Sequence, residues 1–262
     1  MNLRLNQEEL NSFNQNGFLI LRDFADKREC DAILDIAKVH IKYQIEPIER
    51  EAEYHIHSKE YRTNIINYNS TLNQGTIRRL RQAYSRDTIF KNWMKNREIR
   101  PILEQILDDQ VVITTAHHNS IMTKMPKEST STNWHQDRRY WSFTDNNLIS
   151  IWLALGDENS QNGVLEFIPK SHKMSFSSNQ FDSKEYFRDD YKQNMSLIET
   201  KVSTTLKKGD IVIFHSLLLH RANKNSTDKP KISFVYTVKG ASTKAIEGSR
   251  SLAYPEILLD RA

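Results

Sequence analysis

The chain has 262 residues, of which 38% are hydrophobic and 10% aromatic, which is the composition of a globular protein rather than a disordered one. The net charge of +4 is small for this length, and the basic residues are spread along the chain, so nucleic acid is not an expected partner. No apolar run reaches the length of a signal peptide or a membrane span, and the single cysteine, Cys30, cannot form an internal disulfide. These features predict a cytoplasmic protein without a membrane span; they leave its oligomeric state open.

The amino-terminal part, residues 1–108, is predicted to be mostly helical. Asn6 followed by Glu9 is the pattern of a capping box, and Gly17 suits the end of that helix. A short strand is predicted over 18–21, and Asp26 suits the cap of a second helix with apolar residues at helical spacing. Two further helices are predicted over 76–84 and 89–107, whereas residues 46–74 show no clear pattern.

From residue 111 onward the pattern changes to β-strands separated by turns. Strands are predicted over 111–124, 133–141, 148–155, 163–168, 211–219 and 231–238. Six or more strands predict a closed or sandwiched β core over about 109–240, with the helices packed outside it in one domain of residues 1–262. Residues 172–202 lack strand alternation, so we expect an insert that acts as a lid or substrate loop.

A His-x-Asp pair, His135 and Asp137, lies in the second of these predicted strands. Residues two apart on a strand face the same side, so both side chains could bind one metal ion. Together with a distant second histidine they would supply two imidazoles and one carboxylate, the facial triad of non-haem Fe(II) oxygenases. The pair alone is weak evidence, because a surface His-x-Asp near a turn arises easily by chance.

Several histidines could complete the metal site. His215 and His220 are separated by an odd number of residues, so on a regular strand they face opposite sides. His117 and His118 are neighbours on a predicted strand and cannot both point inward, so a metal role there is less favoured. His172 follows a Pro-x-Ser turn, where a structural role is favoured.

The order of the motifs resembles the phytanoyl-CoA dioxygenase family of Fe(II)- and 2-oxoglutarate-dependent oxygenases. The resemblance rests on His135-Gln136-Asp137, on residues 163–173 (Gly-Val-Leu-Glu-Phe-Ile-Pro-Lys-Ser-His-Lys), and on Lys208-Gly209-Asp210 with its hydrophobic run. His220 and a basic residue eleven positions later complete it. The resemblance extends from about Asn6 to Lys239 and implies a double-stranded β-helix, the cupin-like jelly roll, with the metal at its open end.

The same resemblance implies the ligands and the reaction. It assigns His135, Asp137 and His220 to Fe(II), and it places 2-oxoglutarate near Trp152, Ser120 and Arg79, with Arg78 and Arg81 as alternatives to Arg79. The family usually has Arg eleven positions after the second histidine to hold the far carboxylate of 2-oxoglutarate; this chain has Lys231, with Ser233 on the same strand face.

The expected reaction consumes O2 and 2-oxoglutarate, releases succinate and CO2, and hydroxylates an unactivated C–H bond of a small organic substrate. An intact Asp137 argues against halogenation, because related halogenases have a small residue there. Since Lys231 departs from the family pattern, a metal-binding β-barrel without catalytic activity, such as a sensor or binding protein, is the alternative.

Overall fold

The computed structural model describes residues 3–55 and 75–261, which form mainly antiparallel β structure with most of the helices packed on one face of the larger sheet. The prediction of a mainly β fold with flanking helices is therefore confirmed. The helices are α1 (Gln7–Asn16), α2 (Lys27–Lys42), α3 (Glu51–His55), α4 (Ala83–Arg86), α5 (Thr88–Met94), α6 (Arg100–Leu107) and α7 (Lys192–Glu199). None of these helices has the length and hydrophobicity needed to cross a membrane.

The predicted ends of α1 are present. The Asn6 side chain accepts a hydrogen bond from the Glu9 amide at 2.9 Å, and the Glu9 carboxylate accepts one from the Asn6 amide at 2.8 Å. Gly17 ends the helix at a φ of +83°, a left-handed conformation that glycine adopts without steric cost. Asp26 caps α2 as predicted, accepting from the amides of Arg28 and Glu29.

Two antiparallel sheets form the β core. The strands of the first half are β1 (Phe18–Leu21), β2 (Ile48–Arg50), β3 (Ile77–Arg81), β4 (Val111–Thr114), β5 (Asn119–Lys124), β6 (Thr132–His135) and β7 (Leu148–Ala154). Those of the second half are β8 (Leu165–Phe167), β9 (Val202–Ser203), β10 (Ile211–His215), β11 (His220–Ala222), β12 (Lys231–Gly240) and β13 (Glu256–Leu258). The larger sheet has the order β1-β10-β7-β12-β5-β3-β2, with β4 pairing both β12 and β13, and the smaller has the order β6-β11-β8-β9.

Strand alternation divides the buried side chains of the large sheet between two cores. On β7, Ile151 and Leu153 pack with the helices, whereas Trp152 and Ala154 pack against residues of the small sheet such as Phe167. The side chains on the other face of the large sheet therefore lie between the two sheets. Apolar side chains do not fill all of this space, and a cavity remains beside the polar ones. This face of β5, β7 and β12 carries the side chains that line the candidate site.

The helix predicted over 89–107 is two helices, α5 and α6, separated by residues 95–99. Four further predicted elements differ from the structure. Residues 77–81 form strand β3 rather than a helix, because they pair with β5, with Arg79 opposite Met122. The predicted strand 111–124 is two strands separated by a turn that carries His117 and His118. The strand after residue 132 ends at His135, and the 3₁₀ turn Asp137–Tyr140 follows it.

The fourth of these further differences concerns the strand predicted over 211–219. It ends at His215, and a turn separates it from β11, so His220 begins a strand of the smaller sheet instead of ending one of the larger. The insert 172–202 contains α7 and an apolar cluster in which Phe187 packs with Trp134 of β6. Its role as a lid stays a prediction. Part of the unassigned stretch 46–74, residues 56–74, lies outside the described residues.

Candidate metal site and adjoining cavity

Three side chains from two neighbouring strands and the turn after one of them converge at one end of the cavity. His135 is the last residue of β6 and His220 is the first of β11, and the two are direct partners in the ladder. Asp137 lies two residues beyond His135. One potential ligand atom from each of the three residues lies within 4.8 Å of the others, and all three residues are buried.

The carboxylate of Asp137 has one oxygen that is held and one that faces the imidazoles. Its Oδ2 accepts a hydrogen bond from the Ser150 hydroxyl at 3.0 Å. Its Oδ1 lies 3.7 Å from His135 Nε2 and 3.6 Å from His220 Nε2, and within the described residues it has no hydrogen-bond partner. A buried, unsatisfied carboxylate oxygen beside two imidazole nitrogens is a donor set that suits a divalent transition metal.

Backbone carbonyls fix the orientation of both imidazoles. His135 Nδ1 donates to the carbonyl of Asn133 at 2.8 Å, and His220 Nδ1 donates to that of Leu218 at 2.9 Å. The Nε2 lone pairs are therefore free to bind a metal, in the arrangement usual for metal-ligating histidines. Burial holds the pKa of His135 well below its ordinary value, which keeps the imidazole neutral, as ligation requires.

The other four histidines considered in the sequence analysis fall into two groups. His118 Nε2 lies 3.2 Å from Asp137 Oδ1, closer than either histidine of the converging group, and His117 Nε2 lies 2.8 Å from the Ser251 hydroxyl. Both line the cavity because they lie on a turn, so the expectation that only one could point inward is wrong. His215 instead packs against His172, with ring centroids 5.3 Å apart.

A cavity of about 330 Å³ extends from the metal end towards β12. Its lining includes four of the five residues that the family resemblance assigns to the co-substrate, namely Trp152, Ser120, Arg79 and Lys231. The fifth, Ser233, is fully buried behind the wall. Arg79 reaches the cavity from strand β3, not from a helix, and its Nε lies 3.0 Å from Glu49 Oε1.

Glu158, a residue that the sequence analysis did not identify, lies beside the cavity wall formed by Trp152 and Lys231. Its Oε2 lies 3.1 Å from the Lys231 ammonium, and its Oε1 accepts from the Trp152 indole at 3.0 Å and from the Ser233 hydroxyl at 2.6 Å. Glu158 is 1% exposed and Lys231 is 5% exposed, so this is a buried ion pair. In the sequence Glu158 stands in a polar turn after β7, where nothing distinguishes it from a solvated acid.

Lys124 is a second buried ammonium at this end of the cavity. It lies directly across the ladder from Lys231 and donates to the carbonyl of Thr130 at 2.7 Å. Burial first, and then the charges of Arg78 and Lys231, hold the pKa of Lys124 well below its ordinary value. The cavity therefore has imidazoles and a carboxylate at one end, and two lysines with one carboxylate at the other.

The fold and the site together define a double-stranded β-helix with a His-Asp-His facial site. The family model for phytanoyl-CoA dioxygenase (PhyH) matches residues 13–233, and the chain belongs to that family. Human peroxisomal phytanoyl-CoA dioxygenase is 30% identical over 123 residues, which cover 43% of this chain and 35% of the human protein. The bovine phytanoyl-CoA dioxygenase domain-containing protein 1 is 23% identical over 91% of both chains.

Solved structures support the same fold. EctD from S. alaskensis with bound Fe has a TM-score of 0.76 at 17% identity, with 100% of this chain and 90% of that chain covered. The epimerase SnoN, in complex with Fe3+, alpha ketoglutarate and nogalamycin RO, has a TM-score of 0.71 at 16% identity, with 98% and 95% covered. SnoK, a non-heme alpha ketoglutarate dependent carbocyclase, has a TM-score of 0.69 at 16% identity, with 98% and 94% covered. Enzymes of this fold that bind iron and 2-oxoglutarate thus include ones with different reaction outcomes.

Proposed function

We propose that this protein is an Fe(II)- and 2-oxoglutarate-dependent dioxygenase that hydroxylates an unactivated C–H bond of a small organic substrate. The observation that carries the proposal is the geometry around Asp137. Its buried Oδ1 has no hydrogen-bond partner among the described residues and faces the Nε2 atoms of His135 and His220, with that of His118 3.2 Å away. Three protein ligands on one face of an ion leave positions for a chelating co-substrate and O2. Succinate and CO2 are the expected co-products.

The protein residues have distinct parts in this proposal. His135, Asp137 and His220 would hold Fe(II), which together with 2-oxoglutarate and O2 supplies the oxidising chemistry when bound. Ser150 holds Asp137 in place through its hydroxyl, and the two backbone carbonyls fix the imidazole rings. These contacts keep the ligands in position before the metal arrives.

The cavity between the metal end and Lys231 is the proposed binding site of the co-substrate. Its volume of about 330 Å³ is at the lower end of the range for small-molecule sites. Trp152, Ser120 and Arg79 line it, and Lys231 with Ser233 lies at the end far from the metal. The part lined by Trp141, Arg250 and Tyr254 is left for the organic substrate, which would meet aromatic surface and a cation.

The test is addition of Fe(II) and 2-oxoglutarate to the protein without oxygen. A weak visible charge-transfer band is expected, because it forms only when the keto acid chelates the bound iron. Asp137→Ala is the matched control and should give no band. Oxygen should then convert 2-oxoglutarate to succinate in wild type, even without the organic substrate, though slowly.

The result also separates the alternative function. A band without any succinate after oxygenation would favour the non-catalytic metal-binding protein, for which the Glu158–Lys231 ion pair is the specific supporting observation. Absence of iron binding by the wild-type protein would overturn both.

A further inference from the structure

A buried carboxylate that belongs to the protein lies behind the far wall of the cavity, in contact with the lining residues Lys231 and Trp152. Lys231, Ser233 and Trp152 are three of the residues that the family resemblance assigns to 2-oxoglutarate, and all three contact Glu158. Trp152 also packs against the same ammonium, with Lys231 Nζ 4.8 Å from its ring centroid. Glu158 thus accepts hydrogen bonds from groups that would otherwise be available to a carboxylate of a bound ligand.

The local charge follows from this contact. Lys231 and Glu158 form a neutral pair, so Lys231 does not present an uncompensated positive charge to the cavity. Lys124 lies opposite Lys231 on the ladder, but burial lowers its pKa, so its side chain holds a proton less strongly than an ordinary lysine does. A ligand carboxylate brought to Lys231 would lie beside the carboxylate of Glu158. Two ionised carboxylates sharing one site repel each other, so the second binds only at a cost.

We propose that Glu158 determines the co-substrate selectivity of this protein by pairing with the cation at the subsite for a distal carboxylate. The internal carboxylate lowers the affinity for 2-oxoglutarate, a dicarboxylate, and leaves the affinity for a 2-oxo acid with a short uncharged tail unchanged. Both acids chelate the iron through the same keto and carboxylate groups, so only the tail is affected by Glu158. The inference rests on the proposed function, because it presupposes that a 2-oxo acid binds next to the metal.

Glu158→Gln tests the proposal with little change in shape. The amide oxygen of Gln can still accept from Trp152 and Ser233, while the negative charge beside Lys231 is removed. The iron-loaded variant and wild type are titrated without oxygen with 2-oxoglutarate and with 2-oxobutyrate, by the charge-transfer band and by calorimetry. In the variant 2-oxoglutarate should bind about ten- to a hundredfold more tightly, a gain of about 1.4 kcal/mol per factor of ten. The affinity for 2-oxobutyrate should change by less than about threefold, roughly 0.65 kcal/mol at most.

Glu166→Gln is the matched control. Glu166 is also buried and also pairs with a cation and a serine, through Arg221 at 2.6 Å and Ser203 at 3.1 Å. Like Glu158 it does not itself line the cavity, but neither of its partners is a residue that the family resemblance assigns to 2-oxoglutarate. Its replacement should leave both affinities unchanged. If Glu158→Gln leaves the 2-oxoglutarate affinity unchanged or weaker, or tightens both acids equally, Glu158 is a structural ion-pair partner only and the proposal is overturned.

Wild type alone provides a second measurement that does not depend on the folding of a variant. Because the tail carboxylate finds Lys231 already paired, wild type should prefer 2-oxoglutarate over 2-oxobutyrate by less than about tenfold, or 1.4 kcal/mol. A preference above about a hundredfold contradicts the role of Glu158. If neither acid gives a band in any iron-loaded form, the proposed function itself fails, which is a different result from bands with the wrong selectivity.

Discussion

A buried carboxylate lies beside each end of the cavity, but the two carboxylates differ in what surrounds them. Asp137 Oδ1 faces imidazole nitrogens and, among the described residues, has no hydrogen-bond partner. Both oxygens of Glu158 are satisfied, by a lysine on one side and by an indole and a hydroxyl on the other. Asp137 is arranged to pair with a metal cation that binds from solution, whereas Glu158 is already paired with a cation of the chain, Lys231.

This difference matters because burying a charge is costly unless it is paired. At the Glu158 end the folded chain provides the compensation, so that end is complete before any ligand binds. At the Asp137 end the compensation comes from an ion, which couples the properties of that end to metal binding. The following changes test the comparison by removing one side of each arrangement.

The largest effect is expected from Asp137→Ala. Loss of one of only three protein ligands should reduce bound Fe(II) to an undetectable amount while the chain remains folded. Metal analysis after equilibrium dialysis, with circular dichroism for the fold, measures this. His135→Ala and His220→Ala should behave in the same way. His215→Ala is the control and should retain iron; loss of iron in that variant, with retention in His220→Ala, would mean that the ligand is misassigned.

The complementary change at the other end is Lys231→Met. It leaves the Glu158 carboxylate buried without its cation, which should lower the free energy of unfolding by about 3–5 kcal/mol in urea. Adding Glu158→Leu to the same chain should restore most of that loss, because neither charge of the pair then remains. Lys207→Met breaks an exposed pair with Asp157 and should cost less than about 1 kcal/mol. Equal losses for the two lysines would show that the Glu158 pair is not buried in solution.

A smaller effect is expected at the group that holds Asp137. Ser150→Ala removes the hydrogen bond to Asp137 Oδ2 and should weaken Fe(II) binding by about ten- to a hundredfold, as is usual for partners of metal ligands. Competition with a chromophoric chelator measures the affinity. Thr237→Val is the control, since Thr237 contacts the Ser150 hydroxyl at 3.3 Å without bonding to Asp137. An unchanged affinity in Ser150→Ala would mean that Asp137 is oriented by other contacts.

The smallest effect concerns pH and a histidine outside the metal site. Burial, with a smaller contribution from His172, lowers the pKa of His215 to about 4. Below about pH 6.5 the unfolded chain binds a proton that the folded chain does not, so stability falls as pH drops from about 6.5 towards 4.

His215→Asn removes this titrating group. The wild type should lose at most about 1.4 kcal/mol more per pH unit than the variant within that window. Urea unfolding at pH 7 and pH 5 measures the difference. Parallel losses in the two proteins would show that His215 titrates normally in the folded state.

Much of the fold could be predicted from the sequence because local signals agreed with the final structure. The capping residues Asn6 and Asp26 and the hydrophobic runs of β7 and β12 are examples. Residues 77–81 show the limit, since their strand depends on pairing with β5 on one side and β2 on the other, and both partners are distant along the chain. The turn that brings His117 and His118 to the cavity interrupts an apolar pattern that reads as one strand.

The same contrast between local signals and long-range packing applies to the candidate site. His135, Asp137 and His220 could be assigned because the resemblance preserves their motifs, and the structure brings their side chains together. Glu158 could not be identified from the sequence, because the burial of a turn residue depends on packing between two sheets. Lys231 in place of the family's usual Arg is the one sequence signal that the charge at this end differs from the family pattern, and it does not indicate the partner.

The pairing of His135 with His220 has a consequence for the lifetime of the folded chain. These residues lie opposite each other on two short strands of the small sheet, and Asp137 is tied through Ser150 to the large sheet. An ion bound by all three would therefore link the small sheet to the large one. Its binding free energy would be added to the stability of the state in which the two sheets are packed together. A supply of iron would then control how often the small sheet opens and exposes its backbone to proteases, independently of any turnover.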